Sequence, residues 1–331
     1  LSWKSCSTCN TLHARGVCPT CVQTTPATIK EISTGKVVAR KVFRTTGTML
    51  TTVYQKKKLR WVYHENDKYL REDGSTVTRG PLDRLMRVKV RGEDTILAKA
   101  GQVVVLGPSG MRGKYGVDMF GNLPIVDTNG DHLFVVSNGD LKRVTHGGLL
   151  GAGEETVGNV LANRTLFWIG DDLGFGFYRA GTLTRYFLWS TSGRAINDSI
   201  VLPPVPGQIV DATACFGPKK IWFMLTVKEG SDTYNRIYLI DDAGHVLAKA
   251  ETKQGDGTWL SELRGKCAIG NSLFVPTDDG IVRVEAINGT ISATKEFPDT
   301  ARFVDSGTQL FLGDPGIVAV RNGEIWNLEM K

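Results

Sequence analysis

The chain has 331 residues, 41% hydrophobic and 22% charged, with 38 glycines, six cysteines and a formal net charge of +6. These proportions fit one large or two unequal folded domains and exclude a disordered or collagen-like polymer. No apolar run approaches the roughly 20 residues that cross a bilayer, and the opening Leu1-Ser2-Trp3-Lys4 lacks both an initiator methionine and a signal-peptide pattern. The expectation is a soluble, cytoplasmic piece of a longer polypeptide.

The first predicted element is a metal site. Cys6-Ser7-Thr8-Cys9 is followed after eight residues by Cys18-Pro19-Thr20-Cys21. Two residues between cysteines let a tight knuckle aim both sulfurs at one point, and two knuckles supply the tetrahedral thiolate shell that zinc favours. Zinc is favoured over the alternative, iron in the same four-thiolate shell, because it asks no redox chemistry of its site, and disulfides are disfavoured in a chain without a secretory signal. From Trp3 to Val22 the segment resembles a minimal zinc ribbon, with Asn10 to Val17 as a short spacer. The resemblance implies a domain over residues 1–25 with Zn2+ as a structural cofactor on Cys6, Cys9, Cys18 and Cys21. Four thiolates leave no open position for water, so such a metal contributes folding energy rather than catalysis. His13, between the knuckles, reads as a loop residue. Ribbons of this kind occur in nucleic-acid enzymes, in adaptors and beside bacterial kinases and other signalling proteins, so the resemblance specifies a metal and not a function.

After a Gln-Thr-Thr-Pro-Ala-Thr connector at 23–28, charge is distributed unevenly. Residues 1–120 hold 21 Lys+Arg against 9 Asp+Glu, a balance of +12, while the other 211 residues carry −6. The densest basic run is Lys56, Lys57, Lys58 and Arg60, beside Trp61 and Tyr63, and a second runs through Arg84, Arg87, Lys89 and Arg91. Cations interleaved with aromatics suit a phosphate backbone and stacked bases. The strict alternation Arg87-Val88-Lys89-Val90-Arg91 instead favours a strand whose charged side faces water.

From Ile29 onward the sequence consists of short β-type runs ending at Asp-Gly, Asn-Gly or similar pairs, with almost no helical periodicity. Runs beginning at His132, Thr165, Ser272 and Gln309 share a polar-Leu-Phe-apolar design, and Lys58, Gln102 and Lys220 open looser members. Spread over positions 58 to 309, these seven runs have a mean period of about 42 residues, and a four-stranded propeller blade needs roughly 40 to 50. A second series of hairpins turns at Asp73-Gly74, Gly121-Asn122, Ser192-Gly193, Ala243-Gly244 and Asn288-Gly289. The pattern resembles a degenerate β-propeller over residues 26–331, without the Gly-His and Trp-Asp signatures of the WD family. The fold class is therefore expected to be all-β, a propeller of about seven blades with six or eight as alternatives. Closure is expected from a strand near Gly35 to Phe43 joining the last blade around Gly323 to Leu328. A pair of packed β-sandwiches is the competing fold.

No catalytic constellation is evident. H-E-x-x-H, G-x-S-x-G and phosphate-loop patterns are missing, and Gly107 to Tyr115 lacks the G-K-[ST] ending, so it reads as a long turn between blade strands. Asp127-Thr-Asn-Gly-Asp131 resembles a calcium loop, but position 138 is Asn where an acidic twelfth ligand is needed, so the segment reads as a hairpin turn. Asp171-Asp172 and Asp278-Asp279 read as turn residues, and Cys215 and Cys267 as small buried hydrophobes. The sequons at Asn163, Asn197 and Asn288 matter only in a secreted protein. The preferred function is a non-catalytic protein-interaction or sensing module of a larger bacterial-type signalling system, with Trp168, Tyr178, Trp189 or Trp259 as candidate contact anchors. The alternatives are an enzyme or a carbohydrate-type ligand binder using the propeller channel, and nucleic-acid binding through Lys56, Lys57, Lys58 and Arg60.

Overall fold

In the computed structural model the described residues are 37–55, 58–145, 153–160, 165–180, 183–193, 195–200, 202, 207–258, 260, 268–269, 272–313 and 316–330, together with short strands at Lys4–Ser5, Leu12–His13 and Glu31–Ser33. Lys4–Ser5 and Leu12–His13 pair antiparallel. The four cysteines of the knuckles, Lys56, Lys57, Trp259 and Cys267 lie outside the described residues.

Strands dominate, as the turn-punctuated sequence requires, and they pair as successive antiparallel meanders. One sheet is Thr48–Gln55, Lys58–Glu65, Lys68–Arg71 and Thr76–Arg79; the next is Arg87–Arg91, Asp94–Lys99, Gln102–Gly107 and Gly110–Gly116. Others follow from Val126–Thr128 to Gly153–Asn159 and from Thr165–Ile169 to Ile196–Ile200. Two further meanders, Gln208–Gly217 to Val246–Lys253 and Ala268–Ile269 to Thr290–Phe297, are joined by a single parallel bridge, Lys249 to Thr290. The last sheet is built from both ends of the described chain. Gln309–Leu312, Ile317–Arg321 and Glu324–Met330 are joined by Val37–Arg44, in antiparallel register from Glu324–Arg44 to Met330–Val37, with Glu31–Ser33 pairing beyond it as a fifth strand. Closure thus occurs between the two segments expected from the sequence.

The first strand of each meander is its inner strand. Inner strands touch in chain order: Thr48–Gln55 meets Arg87–Arg91, which meets Val126–Thr128, then Thr165–Ile169, Gln208–Gly217, Ala268–Ile269 and Gln309–Leu312, which returns to Thr48–Gln55. That closed circuit defines a β-propeller and excludes two packed sandwiches. The cores confirm it, because each buried cluster lies between neighbouring sheets. Leu133 and Val135 pack back against Ile96 and Val105, while Phe134 and Val136 pack forward against Phe167 and Trp189. Ile221 and Phe223 likewise face Phe175 and Tyr186, whereas Trp222 and Met224 face Leu273 and Val284. A strand buried on both faces must be apolar at consecutive positions, which explains the unbroken Leu-Phe-Val-Val and Ile-Trp-Phe-Met runs. Tight hairpins close at Asn138-Gly139, Asn288-Gly289 and Asn322-Gly323, where both residues have positive φ, from 48° to 78°. Asn and Gly tolerate that conformation, which matches the twist of the flanking strands.

The Leu-Phe series, however, does not mark equivalent strands. The runs at Lys58, His132, Lys220 and Ser272 supply second strands, those at Thr165 and Gln309 inner strands, and Gln102 opens a third strand. The shared pattern records two-sided burial, which several positions in a meander experience. The hairpin series is the better register: its turns at Asp73, Ser192, Ala243 and Asn288 all join third to fourth strands. Its member at Gly121 is a small separate hairpin, Met119–Phe120 with Leu123–Pro124, in the connection to Val126.

Candidate functional site: the central channel

Among the described residues, two cavities lie against the ring of inner strands. The larger, about 690 Å3, lies against the first residues of the inner strands, including Arg87, Leu166 and Gln208. The smaller, about 440 Å3, lies against their later residues, including Asn129, Asp171 and Phe216. Lys89, Asp127, Trp168 and Thr213 line both and form the waist between them.

The waist is held by one carboxylate. Lys89 Nζ donates to Asp127 Oδ1 at 2.7 Å, with side-chain exposures of 23% and 13%. Asp127 Oδ2 accepts the backbone N–H of Ile169 at 3.2 Å, so Asp127 ties three successive inner strands. Trp168 closes the waist on the apolar side, its ring 6.1 Å from Phe177 and 6.0 Å from Phe223.

At the wide end Arg87 lines the cavity, and its buried Nε has no hydrogen-bond partner among the described residues. Burial pushes the pKa of the Arg87 guanidinium down, and the nearby Asp127 charge offsets this only in part. The narrow end is acidic. Asp171 is exposed there, its carboxyl pushed up first by partial desolvation and then by the charges of Asp172 and Asp131. Asn129 fixes this rim by donating Nδ2 to the carbonyls of Gly170 and Asp171, both at 2.9 Å.

Several sequence expectations are revised by this geometry. The alternating strand at 87–91 does not turn its charged side to bulk water. Val88 and Val90 are buried against Val62, Arg87 and Lys89 face the channel, and Arg91 is buried beside Asp94 at 3.2 Å. The hairpin turn expected at 127–131 is present, with Asn129 Oδ1 accepting from the Asp131 and His132 N–H groups, while Asp127 itself belongs to the channel wall. The segment from Gly107 to Tyr115, expected as a long turn, is mostly strand, with Gln102–Gly107 and Gly110–Gly116 pairing across a tight turn at 108–109. Of the basic patch, Lys58 is exposed and Arg60 Nη1 is engaged by Glu72 Oε1 at 2.5 Å. Trp189 is buried between sheets, whereas Trp168 lines the channel. Cys215 is only half-buried and also lines the narrow cavity. Among the described residues no group of three or more His, Cys, Asp or Glu could hold a metal ion, and no helix is long and apolar enough to cross a membrane.

The channel residues were hard to find by sequence because Arg87, Lys89 and Asp127 have no spacing motif. The one signal is three cations alternating with valines at the start of a repeat unit, a pattern that a strand facing bulk water shows equally well.

No protein-family model matches the chain, and no curated protein matches it. Among solved structures it is similar to Kluyveromyces lactis Hsv2, at 8% identity and a TM-score of 0.49, covering 86% of this chain and 98% of that one. It is also similar to the Dos1 propeller, at 12% identity and a TM-score of 0.45, covering 87% and 93%. Apo AztD from Citrobacter koseri matches at 14% identity and a TM-score of 0.45, covering 79% and 80%. The assignment of the present chain as a propeller rests on its own closed circuit of inner strands.

Proposed function

We propose that this chain is a seven-bladed propeller that acts as a binding module, with a small organic ligand held in its central channel. The observation carrying this is the pair of cavities that meet at the Lys89–Asp127 waist. Their volumes lie in the range of small-molecule sites, and their walls combine apolar surface with a few converging polar groups. Native mass spectrometry of the purified chain is the test: a co-purifying small molecule, or a stabilising hit from a metabolite library, is expected. Finding neither would remove the channel reading.

A protein partner is a second reading. It is supported by Leu85 and Val210, 54% and 59% exposed, which lie at or just before the starts of two inner strands on the wide side of the channel. A cytoplasmic ribbon over residues 1–25, with Zn2+ on Cys6, Cys9, Cys18 and Cys21, would add a docking element beside the propeller of residues 26–331. It is supported by the spacing of the thiols alone. The same purification reports both. One zinc per chain and a stoichiometric protein partner are expected, while disulfide-linked cysteines without metal would overturn the ribbon and the compartment together.

A further inference from the structure

We infer that the wide cavity is a site for a small organic monoanion, a carboxylate with an apolar body, whose charge partner is Arg87. The inference rests on the channel reading above and adds the chemistry of the ligand.

Charge accounting within the cavity isolates Arg87. Lys89 is matched by Asp127 at 2.7 Å, and both oxygens of Asp127 are already used, the second by the Ile169 N–H. The remaining acid on the wall, Asp211, is exposed and accepts the Ala212 N–H at 2.9 Å, and it makes no ion pair with either cation. Arg87 therefore lines the cavity as a cation with no acid of its own among the described residues, since the nearby Asp127 is already bonded to Lys89 and to the Ile169 N–H. A partly buried charge without a counter-charge is costly to keep, and an anion in the cavity would supply one. A guanidinium offers a planar fork that a carboxylate matches with two parallel hydrogen bonds.

The rest of the wall selects the body of the ligand. Phe120, Leu166, Trp168 and Ile209 surround the cavity with apolar and aromatic surface, which favours a flat hydrocarbon framework over a sugar. A single unmatched cation balances one negative charge. A phosphate monoester, carrying about 1.5 to 2 charges at neutral pH, would leave charge uncompensated in a partly desolvated site.

Titration calorimetry on the whole chain with 1-naphthoate and its uncharged counterpart 1-naphthamide tests this. Naphthoate is expected to bind at least about tenfold more tightly than the amide, which corresponds to about 1.4 kcal/mol. Arg87→Gln should remove that preference, and Arg87→Lys, which keeps the charge but loses the fork, should retain part of it. Equal binding of acid and amide to the parent chain would overturn the anion assignment and leave the channel reading intact. Naphthoate binding that is indifferent to Arg87→Gln, or no naphthoate binding at millimolar concentration, would also overturn it, while a different ligand found by native mass spectrometry would still support the channel. If Arg87→Gln does not fold, the acid-to-amide ratio in the parent decides alone.

Discussion

The two ends of the channel are built from the same inner strands, yet they differ in chemistry. The wide end presents Arg87 and aromatic walls, with its cation unmatched, whereas the narrow end presents Asp171 on a rim fixed by Asn129. Entry and exit of a strand place different side chains on opposite faces of the ring, so a propeller can carry opposite charge at its two mouths without any change of architecture. What keeps the two ends distinct is the waist, where one carboxylate and one indole separate the cavities.

The largest expected effect comes from removing that waist on its apolar side. Trp168→Ala would merge the cavities and strip the packing from Phe177 and Phe223, at a cost of about 3 kcal/mol in denaturant unfolding. Without such a loss, Trp168 would be a bystander and the separation of the ends incidental.

An intermediate effect is expected from the polar side. Asp127→Ala should destabilise by about 2 kcal/mol, because Lys89 and the Ile169 N–H lose their acceptor in a half-buried site. Replacing both partners, as in Lys89→Met with Asp127→Leu, should cost less than the single change. A double variant that is worse than Asp127→Ala would mean that the pair is favourable in itself and more than a mutual neutralisation.

The smallest effect, and one of opposite sign, belongs to the narrow rim. Because the Asp171 pKa is raised in the folded state, its ionisation disfavours folding as pH climbs above the unfolded aspartate value near 4. The penalty is absent below that value and complete above the folded one. Asp171→Asn should therefore match the parent at low pH and exceed it slightly in stability at neutral pH. Identical melting curves across the whole range would show that the acidic rim is fully solvated and the contrast between the ends purely geometric.

Much of the architecture was legible in the sequence. Turn pairs such as Asn138-Gly139 and consecutive apolar positions such as Leu133 to Val136 dictate short strands buried on both faces, and the segments near Val37 and Glu324 carried the signal for closure. These are local or periodic properties, set by φ preferences and by hydrophobic burial. The order of strands within a meander was less legible, because Leu-Phe runs satisfy burial equally well as inner or second strands.

The channel could be decided only by the tertiary structure. Arg87, Lys89, Asp127 and Trp168 come from three inner strands that are far apart in sequence until the ring closes. In the linear chain the alternation at 87–91 is identical for a strand facing bulk water and a strand facing an enclosed cavity. The sequence by itself determined that one side of this strand is polar. Closure of the ring determined what that side faces, because it alone removes most of the water and brings the Asp127 carboxylate onto Lys89 while leaving Arg87 without an acid of its own.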